Sequence, residues 1–144
     1  MSGVGRMPGG TRVAPQVTTA AQARAYTRSV VREQWDSGAR TAREEDVIDL
    51  LLVVSELVTN AIRHGGGLGA FEVALAPDGV RVAVRDSSDA VPDVARRAAA
   101  LPVGHHAHGY GWPLVVRLTR EIVIDRHREG GKTIRVLVPL HASG

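Results

Sequence analysis

The chain has 144 residues, 44% hydrophobic and 23% charged, with 18 basic against 15 acidic side chains, which is the length and balance of one ordinary soluble domain. No apolar run approaches the ~18 residues that span a bilayer, and the lack of cysteine excludes a disulfide framework and any thiolate metal site, so the expected compartment is the cytoplasm, with no membrane partner. All but one of the basic residues are arginines, Lys132 being the single lysine; they are scattered along the chain beside a single Phe, which argues against direct nucleic-acid binding.

Residues 1 to 17, rich in Gly, Arg and Pro, lack the apolar stretch of a secretory signal and read as a flexible N-terminal arm. The domain is expected over residues 18 to 140, with a short tail over 141 to 144. Thr18 to Trp35 reads as a first helix, with Thr18 or Thr19 as its cap and Asp36-Ser37-Gly38 as its end. A second helix is expected from Thr41, which stands at capping-box spacing from Glu44, to His64, where Gly65 to Gly67 stop it.

The period then changes from helical to two. Phe71-Val73-Leu75 and Val80-Val82-Val84 flank Pro77-Asp78-Gly79, which predicts a hairpin. Pro92 to Ala100 reads as a short helix, Leu101 to Tyr110 as a Gly/His loop and Trp112 to Arg120 as a third full helix. Ile122-Ile124 and Ile134-Val136-Val138 predict two more strands around Arg128-Glu129-Gly130-Gly131. The order predicts an α+β fold, a two-layer α/β sandwich with an antiparallel or mixed sheet covered on one face by helices.

On the second helix, Val47, Leu50, Leu51, Val54, Leu57, Val58, Ala61 and Ile62 gather on a face that predicts core. Asp49, Glu56, Asn60 and Arg63 fall together on the other side, flanked by Leu52, Val53 and His64. Such a stripe either faces water or is covered by protein or a ligand. A carboxylate and a carboxamide at i and i+4 suit phosphoryl transfer, because the amide oxygen can ligate Mg²⁺ and the acid can orient or deprotonate an attacking hydroxyl.

Further along, Asp86 ends a strand in VRVAVRDSSDAVP, either as a turn-starting residue or as an acceptor for an exocyclic amine. HGYGWPLVVRL runs a loop with Gly109 and Gly111 into a helix with Pro113 in its first turn, which is either an ordinary connection or a phosphate seat. GYGWPL is not a dinucleotide fingerprint, since Leu114 takes the third glycine position, and GGKT is not a P-loop, since Arg126 takes the first glycine position and a strand follows. His105, His106 and His108 could gather on a metal, yet no cysteine or ordered carboxylate completes the set.

SELVTNAIRHG resembles the N box of the GHKL (histidine kinase-like) ATPases, and of the anti-sigma-factor serine/threonine kinases in particular. VRVAVRDSSDAVP is similar to their adenine-binding box, HGYGWPLVVRL to the lid glycine box and GGKTIRVLVP to the closing strand, in the same order over roughly residues 18 to 140. The resemblance implies a Bergerat-type fold that binds ATP and Mg²⁺. It implies Glu56 as general base or water-orienting acid, Asn60 as the Mg²⁺ ligand, Asp86 on the adenine amino group, Gly109 and Gly111 on the phosphates, and Thr133 as a hydroxyl contact near adenine. Arg63, His64, His108, Tyr110 and Leu114 fall within the same boxes and complete the implied nucleotide site.

The chain departs from the superfamily pattern Asp-x-Gly-x-Gly, with Ser88 and Ala90 in place of both glycines. Two functions follow from the resemblance. One is a kinase that phosphorylates a Ser/Thr of an antagonist protein and, by partner switching, controls a sigma factor. The other is a non-catalytic, ATP-dependent binding switch on the same fold. A homodimer is the expected assembly in either.

Overall fold

The computed structural model describes residues 12–13, 17–36, 40–88 and 112–143. Strand β1 is Arg12–Val13, helix α1 Ala20–Val30, helix α2 Glu44–His64, β2 Leu68–Ala76, β3 Gly79–Asp86, helix α3 Trp112–Leu118, β4 Glu121–Arg126 and β5 Lys132–Pro139. A single π-helical turn, Val31–Trp35, prolongs α1. The short helix expected over Pro92 to Ala100 and the loop over Leu101 to Tyr110 lie outside the described residues.

The strands form one antiparallel sheet in the order β1-β2-β3-β5-β4. Side chains alternate across a pleated sheet, so the register defines rows on its inner face. Phe71, Val84, Ile134 and Ile124 make one row, and Val73, Val82, Val136 and Ile122 the next. These apolar rows join Leu50, Val54, Leu57, Val58 and Ala61 of α2, together with Trp112 and Val115 of α3, in one core. The α+β sandwich expected from the chain's periodicities is therefore what forms, its helices on one face of the sheet.

Arg12–Val13 pairs with Glu72 and Val73 at the sheet edge, so the segment read as an arm contributes a strand. Thr19 caps α1, accepting from the Gln22 amide at 3.1 Å. The capping box at Thr41 does not form. Helix α2 begins at Glu44 behind Arg43, and Thr41 is taken by the tail instead, its carbonyl accepting from the Ser143 amide. Glu44, Glu45 and Asp46 in the first turn and Arg63 and His64 in the last complement the helix dipole without a side-chain cap.

The buried arc of α2 also differs from the expected one. Val53 is fully buried while Ile62 is 44% exposed, because α2 is flanked by α3 as well as by α1. The outer face of the sheet carries Arg81 paired with Glu121 and Arg135 paired with Asp125, all about half exposed, and such pairs add little stability.

Candidate functional site

The inner rows of the sheet end in charge. One step beyond Val84 and Ile134, the register sets Asp86 opposite Lys132, and both face the helical layer. Their side chains are 6% and 3% exposed. The Lys132 ammonium donates to Asp86 Oδ1 at 3.0 Å, lies 2.9 Å from Oδ2 and donates to the Ser88 carbonyl at 3.3 Å. The Ser88 amide donates to Asp86 Oδ1 at 3.0 Å. A buried ion pair of this kind tolerates its desolvation only because its remaining polar atoms are also partnered.

The end of α2 seats itself on this pair. The Gly65 and Gly67 amides both donate to the Ala61 carbonyl at 3.0 Å, with Gly66 in the left-handed region at φ 78°, which closes the helix as such caps do. The Gly65 carbonyl accepts from the Ser87 amide at 3.0 Å and from its hydroxyl at 3.3 Å. A Cβ at Gly65 would stand 2.4 Å from Asp86 Oδ2, and one at Gly131 would stand 2.4 Å from the Asp86 carbonyl oxygen. Two glycines are thus required because helix end and turn both close directly on Asp86.

Glu56 and Asn60 are half-buried one turn apart on α2, on the side that carries the fully buried Val53. The stripe they belong to is therefore partly covered by protein rather than fully open to water. Arg63 and His64, at the C-terminal end of α2, are exposed, and Leu114 is half-buried on α3. His108, Gly109, Tyr110 and Gly111, and with them the histidine cluster, lie outside the described residues. Among the described residues no group of His, Asp and Glu is arranged to hold a metal ion.

One implied site residue is placed elsewhere. Thr133 follows Lys132 on β5 and pairs with Arg85, so the pleat turns it to the opposite face of the sheet from Asp86. Its hydroxyl meets His127 Nε2 at 2.6 Å. The structure does not bring Thr133 to Asp86, and the side chain that stands there is Lys132. A signal for this existed in the sequence: the alternation Ile134-Val136-Val138 continues backward to 132 and skips 133.

Asp49 lies two turns before Glu56 on the same stripe. Its carboxyl is held above the ordinary aspartate range, first because burial strips water from the charged form and then because Asp46 and Glu45 repel it.

The model of a histidine kinase-like ATPase domain family matches residues 14–138. No curated protein matches the chain.

Gly65→Ala is expected to destabilise the fold by about 2 kcal/mol, because the added methyl overlaps a carboxylate that its ion pair keeps from moving; the midpoint of urea unfolding measures it. For Asp49 the raised pKa means that the folded chain holds its proton to higher pH than the unfolded chain. The cost of ionising it is thus absent at low pH and grows as pH rises through the carboxylate range. Asp49→Asn is expected to raise the melting temperature by about 2 °C at about pH 7 and to leave it unchanged at about pH 3.

Proposed function

From the chain's membership of the histidine kinase-like ATPase domain family, which makes it an ATP-binding domain of regulatory type, we propose that it is an ATP-dependent serine/threonine protein kinase of the anti-sigma-factor kind. It phosphorylates an antagonist protein in the cytoplasm and controls transcription by partner switching with a sigma factor, working as a homodimer. No described helix is long and apolar enough to cross a membrane, in keeping with soluble partners.

The observation that carries this reading is the half-buried pair Glu56 and Asn60 on α2, one turn apart and leading to the Gly65 seat on Asp86. In the proposed reaction the Ser/Thr hydroxyl of the antagonist attacks the γ-phosphorus, the β,γ-bridging oxygen leaves with ADP, and Glu56 accepts the hydroxyl proton. The Asn60 amide oxygen, a hard donor, is the residue that would hold Mg²⁺, whose charge when bound offsets that of the phosphates. Asp86 is assigned to the base, and Leu114, Arg63 and His64 to the nucleotide site. The resemblance assigns His108, Gly109, Tyr110 and Gly111, which lie outside the described residues, to the phosphate end of the nucleotide. Thr133, on the far face of the sheet, has no part in this reading.

A second reading, an ATP-dependent switch without phosphoryl transfer, draws support from Ser88 and Ala90, which replace both glycines of the adenine box. Retention of Glu56 favours the kinase, since a switch needs no base beside the γ-phosphate. Glu56→Gln decides between them: label transfer from γ-labelled ATP to an antagonist protein is expected to fall by about 10²-fold or more, with calorimetric nucleotide affinity kept. Full transfer by that variant would remove Glu56 from the mechanism. Asn60→Ala is expected to weaken ATP binding about tenfold with Mg²⁺ present and to change it little in EDTA, a contrast that calorimetry reads directly.

A further inference from the structure

A carboxylate only accepts hydrogen bonds. An open one at the floor of a purine pocket attracts the 6-amino group of adenine and repels the 6-oxo group of guanine or hypoxanthine. Its selectivity is the difference between those two effects. In this chain the carboxylate is not open. Asp86 Oδ1 already accepts from Lys132 Nζ and from the Ser88 amide, and Oδ2 lies 2.9 Å from Lys132 Nζ and against Gly65, where a Cβ would come within 2.4 Å of it. The ammonium donates to Asp86 Oδ1 and to the Ser88 carbonyl and lies within ion-pair distance of Asp86 Oδ2.

The pair is neutral as a unit and nearly sealed from water. Drawing the ammonium off the carboxylate to admit an amine would leave a buried charge unpaired, which costs more than one amine hydrogen bond returns. A base above it meets neither an acceptor for a 6-amino group nor a negative charge that repels a 6-oxo group. Stacking and shape remain to hold the purine, and these do not distinguish the two substituents.

We propose that Lys132 is the specificity-determining residue of the base pocket: by capping Asp86 it makes the site indifferent to the purine 6-substituent, so that the chain takes purine nucleoside triphosphates as a class. The inference rests on the nucleotide-site reading given above and adds the base selectivity of that site. Lys132 acts through Asp86 and is a positioning residue, with no contact to the reacting phosphate.

The test is calorimetric titration of the wild-type protein with ATP, GTP and ITP in Mg²⁺, followed by Lys132→Thr, with thermal melting to show that the variant is folded. The wild-type affinities for the three nucleotides are expected to agree within about threefold, and the folded variant to prefer ATP over GTP by about tenfold or more. A wild-type protein that already prefers ATP tenfold overturns the inference and leaves the nucleotide site standing. A folded Lys132→Thr that stays indifferent also overturns it, because the determinant then lies elsewhere. Binding of none of the three overturns the inference together with the site beneath it. The wild-type ratios need no variant, so they decide the matter even where Lys132→Thr does not fold.

Discussion

The buried pair between Asp86 and Lys132 is the constraint on which the arrangement of this site depends. Strands β3 and β5 would pair through their apolar rows without it, but those rows stop at Val84 and Ile134, and the next step places two opposite charges face to face under the helical layer. Removing either partner would leave a buried charge, so neither side chain is free to change alone. The end of α2 is fixed by the same pair, since Gly65 closes on the carboxylate and the Ser87 amide holds the Gly65 carbonyl. Helix, hairpin and closing strand thus share one anchor, and the stripe with Glu56 and Asn60 is set relative to it.

That anchoring explains why the polar residues of α2 need not be at the surface. With α1 and α3 both against α2, the arc from Val53 to Ala61 is covered, and Glu56 and Asn60 border it half-buried. A carboxylate in that position has less competing water than an exposed one, which suits the proton-accepting role proposed for Glu56. Asp49, two turns away, shows the electrostatic cost of the same shielding in its raised pKa.

Much of this was legible in the chain because it follows from period. Strands β2, β3, β4 and β5 and the hairpin at Pro77-Asp78 appear from simple alternation, and α1 from its composition and Thr19. What escaped depends on partners distant in sequence. Thr41 was expected to cap α2, yet the C-terminal tail pairs with it; Ile62 was expected in the core, yet it is exposed and Val53 is buried instead. Strand β1 has two residues and no periodicity to detect. Lys132 was readable in parity but not in meaning, because a single charge at an inward position acquires a role only when the register sets Asp86 across from it.

Seen from that register, the first departure from the adenine-box pattern gains a local role. The residue that replaces the first glycine, Ser88, accepts from Lys132 through its carbonyl and caps Asp86 through its amide. Both contacts need the backbone after Asp86 to hold one conformation, and serine restricts the chain more than glycine does. A glycine there would leave the third acceptor of the ammonium loosely held. A threonine at 132 would in turn leave the Ser88 carbonyl nothing to accept from Lys132 and the carboxylate open. Serine at 88 and lysine at 132 therefore belong to one arrangement, in which the Asp86 carboxylate is held by the protein's own groups.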